Sequence, residues 1–306
     1  MQLGVNYLLE VKELFEEDKI DFIDYFKLYS LNEDLSGLEW CWQQRWLMFH
    51  GAIGKASAFG DKDLIKFTDV EKTKEILEKS KTPYFSAHIC ARNKDQTEEE
   101  TYEAIKQNII DFKKAFNTDI ALENIPYRKH YRHCEYLLRP EIISKIVHEN
   151  DIYFLFDISH ARQSAKHFNM TLEEYVSKLP MDRVVEFHLA GMFDLPDISK
   201  EEVRKQFTER QIRFIKAAEE RFGNRFDYHG KLTEEDYKFL EEYLPKYKST
   251  LKYVTLEYGS YNDKSLFEDE AFVYPVANFE KSNPIIKEEV LTQLKRLKLI
   301  VDKVNE

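Results

Sequence analysis

Histidines and acidic residues recur where short hydrophobic segments of this chain end. The segments LMFHG, YFSAHI and VEFHLAG carry a histidine there, and IALEN, FLFDISH, FDYHG and VTLEYG carry a carboxylate, alone or with a histidine. The candidate ligands are His50, His88, Glu123, Asp157, His160, His188, Asp227, His229 and Glu257. So many ligands at one structural level exceed the needs of one metal ion and suit two or three. Imidazole and carboxylate without thiolate favour Zn²⁺, Fe²⁺ or Mn²⁺.

These side chains can meet if the segments that carry them are parallel strands of one sheet. We predict eight strands, over residues 4–9, 24–30, 47–53, 83–89, 119–125, 153–159, 184–190 and 253–258. Helical patterns lie between most of them, and Thr97 with Glu100 is a capping box that opens a helix over 98–116. The alternation predicts an α/β fold, a (β/α)8 TIM barrel, with residues 1–306 as a single domain.

Two connections are longer than a barrel needs. Residues 191–232 include a predicted extra helix over 199–222 that starts at Ser199, and residues 259–284 carry aromatic and acidic residues without clear periodicity. Long connections after barrel strands usually form lids or substrate walls. We therefore expect both loops to lie over the C-terminal face of the barrel.

Side-chain alternation along the strands predicts which residues point into the barrel. The residues that flank the ligands, among them Phe85, Phe156 and Val185, fall on the opposite face and are expected to pack against the outer helices. The ligands' own face places Lys27 and Glu186 inside the barrel. We expect these two residues to form a buried ion pair with a structural role.

The spacing within the two ligand pairs predicts local backbone structure. Asp157 and His160 are three residues apart and would face oppositely on a strand, so they converge if the chain turns there into a helix. Asp227 and His229 are two residues apart, so an extended segment directs both to one ion.

Composition narrows the class of protein. The net charge of −11 argues against a nucleic-acid partner, because binding to the phosphate backbone depends on Lys and Arg. The three cysteines form no CxxC pair, which fits a reducing compartment. We see neither a signal peptide nor a membrane-spanning run, and we expect a cytoplasmic protein without a membrane partner.

At these residues the chain resembles the xylose-isomerase-like superfamily of metal-dependent barrels. The order of its ligands is similar to the trinuclear metal set of endonuclease IV at every position. The segment TLEEYVSKLPMDRVVEFHLAGM, together with LENIPYR and FHG, resembles the multinuclear non-heme iron-dependent oxidase family that contains the methanobactin-biosynthesis oxidase. That family usually has Asp where this chain has Ala87, and Asn where it has His160.

The resemblance implies a metal assignment. It implies one ion on His50, His88 and Glu123, a second that shares Glu123 and binds Asp157, His188 and Glu257, and a third on His160, Asp227 and His229. It favours iron, with zinc or manganese as alternatives, in two or three positions. It also gives Glu123 and Glu257 catalytic roles in addition to metal binding.

Three activities are consistent with such a site. The oxidase resemblance implies oxidative modification of a cysteine in a ribosomally made peptide, or of a related small thiol, often with a small partner protein. The first alternative is a metal-dependent phosphodiesterase of the endonuclease IV kind, and the second is a sugar isomerase or epimerase. The isomerase needs only one or two ions, so it explains the surplus of ligands least well.

Overall fold

Eight parallel strands overlap the eight predicted segments, in a computed structural model that describes residues 1–29, 37–54, 58–259 and 282–306. The first strand begins and ends earlier than the predicted range 4–9. They are β1 (Gln2–Asn6), β2 (Tyr25–Tyr29), β3 (Trp46–His50), β4 (Tyr84–His88), β5 (Asp119–Glu123), β6 (Tyr153–Asp157), β7 (Val184–Leu189) and β10 (Tyr253–Leu256). Two further strands, β8 (Gly191–Asp194) and β9 (Arg225–Gly230), form a separate antiparallel pair.

Helices follow most of the strands. They are α1 (Leu9–Glu16), α2 (Leu38–Gln44), α3 (Val70–Ser80), α4 (Glu98–Phe116), α5 (Pro140–Glu149), α6 (Ile158–His167), α7 (Leu172–Val176), α8 (Glu201–Arg204), α9 (Glu209–Phe222), α10 (Glu234–Lys246) and α11 (Pro284–Asn305). Short 3-10 helices cover Leu64–Phe67, Lys129–Leu138 and Met181–Arg183. The predicted capping box at Thr97 is present and begins α4. None of the described helices is long and apolar enough to cross a membrane.

The eight parallel strands form a nearly closed barrel. They are hydrogen-bonded in the order β3-β2-β1-β10-β7-β6-β5-β4, so β3 and β4 are the two ends of the sheet. A hydrogen bond from Gly51 N to Ser86 O (2.8 Å) joins these ends. The strand order and the intervening helices confirm the predicted TIM barrel.

The barrel interior is packed by large side chains below the level of the ligands. Tyr25, Tyr84 and Leu155 belong to this inner cluster. A Cβ atom at Gly4 would lie 2.2 Å from a ring carbon of Tyr25, so the tyrosine ring occupies the space that a larger residue on β1 would need. Val185 also joins the inner cluster, and its predicted outward orientation is therefore wrong.

The error at Val185 has a local cause. The pairing of β6 with β7 shifts register between Phe154 and Leu155, which lie opposite Val184 and Glu186. Val185 is therefore an extra residue in a β-bulge, and a bulge interrupts the alternation of side chains along a strand.

The predicted ion pair inside the barrel is confirmed. Lys27 Nζ lies 2.6 Å from Glu186 Oε1, and neither side chain is exposed to solvent. Burial of both charges is tolerated because each faces the other directly.

The long connection after β7 departs from the prediction of one helix over 199–222. It contains two helices, α8 and α9, because Thr208 forms a capping box with Gln211 and begins a second helix. Most of the other long connection, residues 260–281, lies outside the described residues.

The strand β8 follows directly from the end of β7 and pairs with β9. Gly191, the first residue of β8, lies opposite Gly230, the last residue of β9. A Cβ atom at Gly191 would lie 2.0 Å from the carbonyl oxygen of Lys231, so this close approach of two backbones requires a glycine.

Candidate metal centre

The structure brings all of the predicted ligands together at the C-terminal ends of the strands. Within each of several groups, one ligand atom per residue lies within 4.8 Å of the others. The groups are His50 with His88 and Glu123, His160 with Asp227 and His229, Asp157 with His188 and Glu257, and Glu123 with Asp157 and His160. Donors bound to one ion at about 2.0–2.2 Å lie up to about 4.4 Å apart, so small movements would let each group close on an ion.

Glu123 lies at the centre of these groups. Its Oε2 is 3.6 Å from His50 Nε2 and 3.5 Å from His188 Nδ1. Its Oε1 is 3.5 Å from His88 Nε2 and 3.3 Å from His160 Nδ1. One carboxylate that faces several imidazoles through both oxygens has the geometry of a bridging ligand.

The predicted turn between Asp157 and His160 is confirmed. Asp157 is the N-cap of α6, and its Oδ1 accepts hydrogen bonds from His160 N (2.7 Å) and Ser159 Oγ (2.7 Å). His160 Nδ1 lies 2.7 Å from the backbone oxygen of Asn124, which can only accept, so Nδ1 carries the proton. His160 Nε2 is therefore the nitrogen directed at Asp227, with its Oδ2 at 3.2 Å.

The pair Asp227 and His229 lies on β9, outside the barrel sheet. Their side chains converge as the spacing predicts, with His229 Nε2 3.5 Å from Asp227 Oδ2. Hydrogen bonds of its backbone also connect this strand to the barrel: Asp227 N donates to Gln163 Oε1 (3.2 Å), and Gly259 N donates to His229 O (2.6 Å).

Tyr29 is a residue of the site that the sequence reasoning missed. Its hydroxyl donates a hydrogen bond to Glu257 Oε1, and its ring centroid lies 5.4 Å from that of His50 and 6.4 Å from that of His188. A tyrosine at a strand end usually belongs to the core, which is why its type gave no signal. Its position could have revealed it, because Tyr29 shares the inward face of β2 with Lys27.

Several buried polar atoms of the site have no hydrogen-bond partner among the described residues. They are His50 Nε2, Glu123 Oε2, Asp157 Oδ2 and His188 Nδ1. His188 Nδ1 lies 2.5 Å from Glu257 Oε1 but outside hydrogen-bond geometry. Buried polar atoms are nearly always paired, so orphaned ligand atoms that face one another fit metal coordination.

Burial keeps two of the histidines neutral. It lowers the pKa of His50 well below the ordinary value, and it lowers the pKa of His88 in the same direction, although Glu123 opposes both shifts. Neutral imidazole is the form that binds a metal ion. These two side chains are therefore prepared for ligation at neutral pH.

Two other histidines are held in the charged form. Burial alone would lower the pKa of His160, but Asp157 and other carboxylates raise it well above the ordinary value. Burial likewise opposes charge on His188, and Glu257 raises its pKa well above the ordinary value. The acidic cluster thus attracts protons where metal cations would otherwise balance its charge.

The pKa values of the remaining ligands are set by the same balance between burial and neighbouring charges. Burial opposes charge on His229, yet Asp227 raises its pKa to about 9. Burial raises the pKa of Asp157 to about 6. It also acts to raise the pKa of Glu257, but His188 outweighs it and the value falls to about 2.

A protein-family model matches most of the chain. It is described as "RiPP precursor modification enzyme MbnB/TglH/ChrH" and matches residues 4–249. A search of curated proteins finds no match.

Solved structures share the fold at low sequence identity. A xylose isomerase domain containing protein from Salmonella typhimurium is 15% identical, with 97% of each chain covered and a TM-score of 0.57. Endonuclease IV from Thermus thermophilus is 12% identical, with 98% of this chain and 99% of that chain covered and a TM-score of 0.54. The IOLI protein, solved with a bound zinc atom, is 13% identical, with 99% and 98% covered and a TM-score of 0.53. These similarities confirm a xylose-isomerase-like TIM barrel.

Proposed function

The chain belongs to the MbnB/TglH/ChrH family of RiPP precursor modification enzymes, and on that premise we propose that it is a multinuclear metal-dependent oxidase. Its substrate is a cysteine in a ribosomally made precursor peptide, or a related small thiol. The site holds two or three ions, with iron favoured over zinc or manganese. The observation that carries this proposal is the position of Glu123, whose two oxygens face His88 of one ligand group and His188 of the adjoining one.

The groups in the structure support the ligand assignment that the family resemblance implies. We assign one ion to His50, His88 and Glu123, a second to Asp157, His188 and Glu257 with Glu123 shared, and a third to His160, Asp227 and His229. Iron held by these residues would supply the redox chemistry for oxidation of the peptide thiol, with O₂ as the electron acceptor.

The exposure of the ligands indicates where substrate enters. The side chains of His88 and His229 are 25% and 34% exposed, whereas those of Glu123 and His188 are nearly inaccessible. The peptide therefore approaches across His88 and His229. The buried ligands beyond them keep water from the opposite side of the centre.

Hydrogen bonds orient the proposed catalytic carboxylates. Tyr29 donates to Glu257 Oε1, which leaves Oε2 facing His229 Nε2 at 3.8 Å. Glu123 is oriented instead by the histidines around it. We propose that Glu257 and Glu123 have catalytic roles in addition to metal binding, because both are ligands and both are held at fixed positions.

The test is metal analysis of protein purified without oxygen, followed by O₂ consumption with a cysteine-containing precursor peptide. Iron-loaded protein should consume O₂ with this peptide and not with its Cys-to-Ser counterpart. His188→Ala should lose metal and activity. His148→Ala is the matched control, since His148 is exposed and bonds to Asp182, and it should retain both. Full activity of protein that contains only zinc would show that the oxidase proposal is wrong.

An endonuclease IV-like phosphodiesterase is the second candidate. His160 favours it, because its Nε2 completes a third ligand group with Asp227 and His229. Incision of DNA that contains an abasic site is the deciding assay. Absence of incision with Zn²⁺, Mn²⁺ and Fe²⁺ would exclude this candidate.

A further inference from the structure

A charged pair lies directly beneath His188 inside the barrel. Lys27 Nζ is 2.6 Å from Glu186 Oε1 and 2.5 Å from His188 Nε2. Glu186 Oε1 is itself 3.3 Å from His188 Nε2. Lys27 can only donate to this nitrogen, so Glu186 Oε1 is the acceptor within reach when Nε2 itself carries a proton.

Glu186 is held in place by further hydrogen bonds. Tyr84 donates its hydroxyl proton to Glu186 Oε2 (2.7 Å), and Thr255 donates to Glu186 Oε1 (2.5 Å). The hydroxyl of Tyr25 lies 2.7 Å from Thr255 Oγ1 and continues the network. Both oxygens of the fully buried Glu186 carboxylate are thus fixed by hydrogen bonds.

The chemistry of imidazole requires such an acceptor. His188 can bind an ion in the group with Asp157 and Glu257 only through an unprotonated Nδ1. The single proton of the neutral imidazole is then on Nε2. A charged lysine has no lone pair to accept that proton, whereas Glu186 Oε1 does. The inward face of β7 places Glu186 two residues before His188, on the same side of the strand.

We propose that Glu186, clamped by Lys27, Tyr84 and Thr255, is a positioning residue that accepts the Nε2 proton of His188 and so fixes Nδ1 as its ligand atom. This inference rests on the proposed metal centre. It gives the buried ion pair a role beyond the stability of the barrel. Outer partners of ligating histidines typically contribute about 10–100-fold to metal affinity.

The test compares two double variants in which no buried charge is left unpaired. Lys27→Met with Glu186→Gln keeps an acceptor oxygen, and Lys27→Met with Glu186→Leu removes it. We measure the metal content and the affinity for Fe²⁺ and Co²⁺ by chelator competition without oxygen, and we record the visible spectrum of the Co²⁺ protein. The Leu variant should bind about 10–100-fold more weakly and with an altered spectrum, while the Gln variant should stay closer to wild type.

Stability is measured separately, by thermal unfolding of each protein without metal. Tyr175→Phe is the control, because it removes a buried hydrogen bond to Leu138 O in the outer layer and should lower stability without changing metal binding. If the Leu variant does not fold, Tyr84→Phe loosens Glu186 while retaining it and should weaken binding to a smaller degree.

The outcomes separate this inference from the proposed function. Wild-type protein that binds neither Fe²⁺ nor Co²⁺ overturns the metal centre and the inference with it. Wild-type protein that binds both, with unchanged affinity and spectrum in the Leu variant, overturns the inference alone. Equal losses in the Gln and Leu variants also overturn it, because the pair would then act through charge or packing and not as a proton acceptor.

Discussion

Replacement of Tyr29 by phenylalanine should weaken one of the ligand groups selectively. The substitution keeps the ring beside His50 and His188 and removes only the hydroxyl that donates to Glu257 Oε1. The other group near this oxygen is His188 Nδ1, at 2.5 Å. Once that nitrogen binds an ion, Tyr29 is the remaining donor to Glu257 Oε1 among the described contacts.

The size of the expected loss in metal affinity follows from the kind of hydrogen bond that Tyr29→Phe removes. A hydrogen bond to a charged acceptor contributes about 1.5–3 kcal/mol. A tenfold change in affinity corresponds to about 1.4 kcal/mol, so Tyr29→Phe should weaken metal binding about 10–100-fold. The effect should be confined to the ion assigned to Asp157, His188 and Glu257.

The assay is anaerobic titration with Fe²⁺ in the presence of a competing chelator. Tyr175→Phe again serves as the control, because it too removes a single tyrosine hydroxyl, one that donates to the backbone oxygen of Leu138 and not to a ligand. Two results would refute the reasoning: an unchanged affinity in Tyr29→Phe, or an equal weakening of every bound ion.

The further predictions concern protons, the third ligand group and barrel packing. Zn²⁺ loading at pH 7 should release protons from His160, His188 and His229, whose pKa values are all raised, so apparent affinity should rise as the pH increases above 7. A pH-indicator dye that detects no release would contradict this. Without metal, the stability contributed by His229 should be complete below pH 6.5 and lost as pH rises through about 9, which denaturant unfolding across that window measures. His160→Asn should weaken the third group and retain the others, as metal analysis would report; loss of all metal would show that the groups are not separable. Gly4→Ala should destabilise the fold by about 1–3 kcal/mol, because its Cβ would collide with Tyr25, and an unchanged unfolding midpoint would count against that packing.

The convergence of the ligands could be predicted because it depends on repetition. Parallel barrel strands end at one level, so a ligand at the end of each strand meets the others whatever the details of the helices. The spacing of Asp157 and His160 was similarly informative, since an aspartate that ends a strand can cap the helix that follows. The ion pair of Lys27 and Glu186 followed from side-chain alternation alone.

The features that could not be predicted depend on tertiary context. Tyr29 joins the site through a hydroxyl whose partner, Glu257, is distant in sequence. Val185 turns inward because of a bulge that only the pairing of two strands creates. The antiparallel pairing of β9, the strand that carries Asp227, was not predicted either, because an extended segment does not reveal which strand it pairs with.

The strands β8 and β9 form a two-stranded unit that carries Asp227 and His229, two members of the proposed third ligand group, whereas the other member, His160, lies on α6. The two strands bond to each other, and hydrogen bonds to Gln163 and Gly259 connect β9 to the barrel. The eight-stranded sheet is complete without this unit. Its exchange, by evolution or by design, would therefore change the proposed third ligand group while the scaffold that holds the other ligands stays the same.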